Sequence, residues 1–166
     1  MSSKRTNNLI VLGASSMMLI LLAKYVPRNR MREAHISFLF QQVITWFFGL
    51  LVVELGLIKY PYRIFFKKAN KSSFVFEFFI CPAITVLFNL YYPDRRSRFK
   101  KAIYIFAYSG SITFIEIFIE KYTDLIKYKK WAWYWSFITL SMTYYLSRLY
   151  YRWFTKVSAE QIIKEG

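Results

Sequence analysis

Three glutamates, Glu54, Glu77 and Glu116, stand inside segments that are otherwise almost wholly apolar. An ionisable side chain in a lipid-spanning helix costs about 2.5–3.5 kcal/mol on insertion scales, so each needs a partner or a task. With about 1.5 Å of rise per residue, all three fall roughly 8–10 Å from the centres of their segments. Alternating segment directions put them on one side of the midplane, the side carrying the N-terminus, with Glu120 and Asp124 just beyond Glu116. The expected arrangement is a carboxylate layer of Glu54, Glu77, Glu116 and Glu120. Clustered acids of this kind bind a cation or share and relay protons. The structural alternative is neutralisation by Lys59, Arg63, Lys121 and Lys127, whose long stems can snorkel in from the same face.

Other chemistry is poorly provided for. The single cysteine, Cys81, excludes an internal disulfide and a thiolate cage, and the single histidine, His35, excludes His-based metal clusters. No phosphate-cradling glycine loop, GxSxG elbow or HExxH pair occurs, so neither an enzyme nor a metal or cofactor is expected. The formal charge of +15 raises nucleic acid as a partner, because clustered cations release phosphate counterions. The cations instead gather in short runs between apolar segments, as in Arg28, Arg30, Arg32 and in Arg95, Arg96, Arg98, Lys100, Lys101. Such runs suit anionic lipid headgroups, where each contributes about 1 kcal/mol, and no groove-reading module accompanies them.

The elements that must position these groups follow from the bilayer. Of 166 residues, 56% are hydrophobic and 22% aromatic, and the mean hydropathy is +0.25. A helix needs about 20 largely apolar residues to cross the hydrocarbon with its backbone satisfied internally. Five stretches qualify, at about 9–25, 36–58, 74–92, 102–119 and 131–151, with 152–166 a basic and polar tail. The expected fold is an all-α integral membrane bundle of about five transmembrane helices forming one domain. The first is expected to be a retained anchor, since no small-x-small cleavage site follows Leu22. Pro82 should kink the third by removing a backbone donor.

Basic residues number eleven on the N-terminal face and thirteen on the other, so the positive-inside rule barely discriminates. The dense Arg95–Lys101 loop favours a cytoplasmic C-terminus.

At 100° per residue Ser109, Thr113, Glu116 and Glu120 share one stripe of the fourth helix, as do Ser136, Thr139, Thr143 and Ser147 on the fifth. Small hydroxyl residues of this kind line close helix contacts in lipid. Gln42, Thr45, Gly49 and Gly56 share a face of the second helix, with Glu54 about 120° from Gln42. The connection from Glu120 to Trp133, with Lys121, Tyr122, Asp124, Lys127, Trp131 and Trp133, reads as an interfacial motif that sets helix depth and tilt.

Several strings resemble an uncharacterised family of small, aromatic-rich, multi-helix membrane proteins found mostly in endospore-forming Gram-positive bacteria. They are Ile115-Glu116, the run Glu120 to Trp133, Ser136-Phe137 with Arg148, Gly56-Leu57-Ile58-Lys59-Tyr60-Pro61, and Phe76-Glu77-Phe78 with Pro82. The resemblance covers roughly 41–154 and implies a multi-pass protein of a bacterial inner or spore membrane, linked to sporulation, without an activity. The expected function is a non-enzymatic structural or accessory component that packs with itself or with other membrane proteins. The competing expectation is a small ion- or proton-coupled transporter using the glutamates.

Overall fold

Five helices follow one another in the computed structural model, which describes residues 4–64 and 73–165: α1 (Lys4–Tyr25), α2 (Met31–Glu54), α3 (Cys81–Leu90), α4 (Arg98–Tyr122) and α5 (Trp133–Glu165). A single 3-10 turn, Arg28–Arg30, leads into α2, and a π-helical turn, Phe76–Ile80, leads into α3. Two short strands, β1 (Ile58–Lys59) and β2 (Lys127–Tyr128), pair antiparallel, Ile58 opposite Tyr128 and Lys59 opposite Lys127.

Among the described residues the regular structure is all-helical apart from this ribbon. Among the described residues three helices are long and apolar enough to cross a membrane: Lys4–Tyr25, Arg28–Glu54 and Arg98–Tyr122. At most 22% of the most apolar window of each is buried, so their apolar side chains point outward. Leu12, Ile20, Val43, Phe47, Phe106 and Phe114 are each more than half exposed. Apolar surface on that scale suits lipid better than water.

Backbone hydrogen bonding explains where the helices end. The segment expected as helix over 36–58 stops at Glu54, because Gly56 takes φ +67° and closes a double cap. Leu57 N–H donates to Val52 O at 2.9 Å and Gly56 N–H to Val53 O at 3.0 Å, which satisfies two terminal carbonyls. At its other end α4 begins on Ser97, whose hydroxyl accepts from Lys100 N–H at 3.5 Å. The last helix runs through the stretch read as a tail, to Glu165.

The third segment departs most from a regular helix. Pro82 removes the donor that Phe78 O would have in an α-helix. Cys81 N–H reaches back to Phe76 O, a five-residue step that passes over Glu77 O. Two side chains of α2 fill these places: Gln42 Nε2 donates to Phe78 O at 3.0 Å, and Thr45 Oγ1 to Glu77 O at 2.7 Å. A proline beside a π turn is tolerated in an apolar setting when a neighbouring helix satisfies the freed carbonyls in this way.

That exchange belongs to a longer polar seam. Glu77, Cys81, Thr85 and Asn89 recur every four residues and are all buried. Ser37, Gln41, Thr45 and Gly49 recur likewise on α2, which packs antiparallel against them. The two rows meet in register. Asn89 Nδ2 donates to Ser37 Oγ at 2.5 Å, Gln41 Nε2 lies 3.9 Å from Cys81 Sγ, and Thr45 meets Glu77. Asn89 also donates to Ser147 Oγ of α5 at 2.9 Å, joining three helices at one amide. Beside the seam, Phe88 packs with Ile105, Ile112 and Tyr144 as an apolar core, its ring centroid 4.7 Å from that of Tyr144.

The two ends of the bundle are built differently. At one end lie the α1–α2 and α3–α4 connections, tied by Tyr91 OH to Tyr25 O at 2.8 Å and by Arg30 Nη1 to Leu90 O at 3.0 Å. Arg30 also pairs with Glu33 at 2.7 Å, and buried Arg148 joins Asn89 O, Asp94 and the rings of Tyr92 and Tyr151. At the other end the α2–α3 and α4–α5 connections form the two-stranded ribbon. Lys129 N–H to Leu57 O and Tyr62 N–H to Asp124 O, both 2.9 Å, extend their pairing.

Candidate functional site

Beneath the ribbon a cavity of about 300 Å³ opens between α2, the π turn, α4 and α5. Its polar lining is Thr45, Glu77, Cys81, Glu116, Ser136, Thr139 and Thr143, with Tyr60 and Trp131 entering from the two connections. Phe48, Leu51, Val52, Leu55 and Leu140 make the apolar wall.

The glutamates arrive by different routes. Glu77 stands on the π turn and is buried against α2, where Gly49 leaves room for its carboxylate. A Cβ at position 49 would overlap the Glu77 carboxylate atoms, so the carboxylate takes its present place because position 49 has no side chain, not because of backbone conformation. Glu116 stands on α4, and its Oε1 accepts from Tyr128 OH at 2.7 Å and from Ser136 Oγ at 2.9 Å. Trp131 Nε1 donates to the same Ser136 Oγ at 2.8 Å, linking indole, hydroxyl and carboxylate in one chain. Tyr128 sits on β2, outside the helices. Burial first, and then the adjacent Glu116, push its phenol above the ordinary range, so it remains an O–H donor. Tyr60, across the ribbon, is likewise pushed up, chiefly by burial.

The carboxylate layer expected from depth is therefore brought together in part. Glu77 and Glu116 line one cavity. Glu54 is exposed at the end of α2, in keeping with its rotation away from Gln42, and lies outside the cavity wall. Glu120 is half-buried one turn beyond Glu116 and contributes its backbone: Lys127 Nζ donates to Glu120 O at 2.5 Å.

The proposed interfacial motif divides in the same way. Trp131 enters the site, whereas Tyr122 and Trp133 are exposed, Lys121 lies over the Tyr122 ring at 5.5 Å, and Asp124 receives the Tyr62 N–H. The cations offered as neutralising partners are spread over the ribbon end. Lys127 turns to a carbonyl, Lys59 is exposed on the ribbon, and Arg63 lines a separate small pocket beside Tyr62.

Tyr60, Tyr128, Thr45 and Gly49 belong to the site without having been singled out for it. The available signal for the tyrosines is local alternation of apolar and charged residues, Ile58-Lys59-Tyr60 and Ile126-Lys127-Tyr128-Lys129, which marks short extended segments. For Gly49 the sequence shows its place on the face of Gln42 and Thr45, but not the carboxylate that packs against it.

The hydroxyl stripes of α4 and α5 are consumed inside the chain. Ser109, Thr113, Ser136, Thr143 and Ser147 are all buried, and Ser136 and Thr143 face the cavity. No family model, curated protein or solved structure matches this chain.

Proposed function

We propose that the chain is a multi-pass integral membrane protein that binds a small cation between Glu77 and Glu116 and carries it across the bilayer. The observation that carries this reading is the convergence of two acids from different helices on one cavity, with hydroxyl donors holding Glu116. Acids kept in an apolar bundle at this cost are expected to handle charge. Five crossings are supported by the pairing of alternate connections at opposite ends, although Phe76–Leu90, at 15 residues, is about 22 Å long and needs local thinning or flanking turns to span.

The accessory-component reading rests on hydroxyl faces of which Ser109, Thr113, Ser136, Thr143 and Ser147 are buried within the chain, while Thr139 is only half-buried. A bacterial inner or spore membrane remains the expected location on the sequence resemblance alone.

The test is cation or proton flux in proteoliposomes. Glu116→Gln and Glu77→Gln are expected to abolish it, with Glu54→Gln close to wild type and all three variants retaining their melting transitions. No flux under any gradient, or flux indifferent to both changes, would remove the proposal.

A further inference from the structure

Resting on that site, we infer that its ligand is a lipophilic organic cation that enters sideways from the bilayer. The cavity is far larger than an inorganic ion needs. One water takes about 30 Å³ of liquid, whereas about 300 Å³ lies at the lower bound for small-molecule pockets. The lining also suits a body with apolar surface. Hard cations such as magnesium or calcium require about six to eight oxygen ligands, and among the described residues no group of three or more His, Cys, Asp or Glu is placed to hold a metal ion.

The mouth is the second observation. Phe48, Leu51 and Leu55 line the cavity and are also 39%, 41% and 61% exposed on the outer face of α2. An apolar wall that continues onto the lipid-facing surface is an entrance for a molecule already dissolved in lipid. Inside, Glu77 and Glu116 supply carboxylates, and Tyr60 and Trp131 add aromatic rings to the lining, side chains of the kind that attract a weakly hydrated cation. The ligand's charged centre then lies at the acids and its apolar part along Phe48, Leu51 and Leu140. A strongly hydrated ion would have to shed its water against this wall for two carboxylates and a few hydroxyls, whereas a quaternary onium centre carries its own apolar cover.

The experiment uses the full chain in nanodiscs of zwitterionic lipid, with tritiated tetraphenylphosphonium in equilibrium dialysis and empty nanodiscs as the partition control. Saturable binding is expected, weakened about tenfold or more, roughly 1.4 kcal/mol, by Glu116→Gln or Glu77→Gln. Leu51→Trp should weaken it similarly by filling the part of the cavity that holds the ligand's apolar body, without touching either acid, and Glu54→Gln should leave it unchanged. Melting curves identify any variant that fails to fold, and Leu51→Trp then stands as the test independent of the acids.

Uptake that merely scales with lipid, or that is equal in every folded variant, overturns the inference. Glu116-dependent binding of rubidium or magnesium without tetraphenylphosphonium binding overturns the ligand class and leaves the cation site standing. Glu116-independent behaviour of all three probes overturns both.

Discussion

Gly49 and Glu77 show how closely the site is fitted, because a single methyl group at position 49 would occupy the carboxylate's place. Gly49→Ala is expected to destabilise the fold by about 1–3 kcal/mol, the usual cost of overpacking, measured as a lower midpoint in denaturant. A wild-type midpoint would show that Glu77 is free to move aside. On the other acid, Tyr128→Phe and Ser136→Ala each delete one donor to Glu116, and each should cost about 0.5–1.5 kcal/mol. The double change should be non-additive, since both donors meet the same oxygen. Glu77 and Glu116 were legible from residue counting, because depth in a helix follows directly from sequence position. Glu54 was expected at the same depth, but α2 ends on it, short of the end of its apolar run, and leaves it exposed and turned away from the cavity. Packing partners such as Gly49 opposite Glu77 are separated by 28 positions, so no local pattern announces them.

At the level of elements, the break before α3 is a cooperative unit of Pro82, the π turn, Gln42 and Thr45. Gln42→Leu leaves Phe78 O without its side-chain donor, which should cost about 1 kcal/mol for a part-buried carbonyl that loses its hydrogen bond. Pro82→Ala restores a backbone N–H that can serve the same carbonyl, so the penalty of Gln42→Leu should shrink in that background. A penalty unchanged by Pro82→Ala would contradict the exchange described here. The sequence made the proline's effect readable only as a kink. It did not show that α2 would supply the missing donors, although Gln42, Thr45 and Gly49 were readable as one face. The end of α2 was misjudged because apolar residues continue past Glu54; the left-handed turn at Gly56, not hydropathy, stops the helix.

Across the whole molecule one end is bolted and the other is hollow. Arg148 is buried and binds Asn89 O, Asp94 and two tyrosine rings, so Arg148→Ala should cost about 1–3 kcal/mol, chiefly by leaving the buried Asn89 O without its donor, since half-exposed Asp94 can turn to solvent. Its damage should appear in unfolding, while the folded fraction keeps its cation affinity, because the cavity lies at the opposite end. The five crossings we propose would place the termini on opposite faces; reporter fusions at both ends showing one common face would require an even number. The long apolar helices were legible in composition, three of them long and apolar enough to cross a membrane among the described residues, whereas α5 is less so, since it draws its bulk from Tyr, Trp, Ser and Thr, which score low as membrane formers.

The central claim is that Glu77 and Glu116 share one lipid-accessible cavity, and a hydrophobic carbodiimide tests it most directly. Treatment of the protein in nanodiscs with dicyclohexylcarbodiimide, followed by peptide mass spectrometry, should modify Glu116 or Glu77, and tetraphenylphosphonium should protect both. Modification confined to exposed Glu54, or modification of Glu116 that no cation slows, would contradict the account.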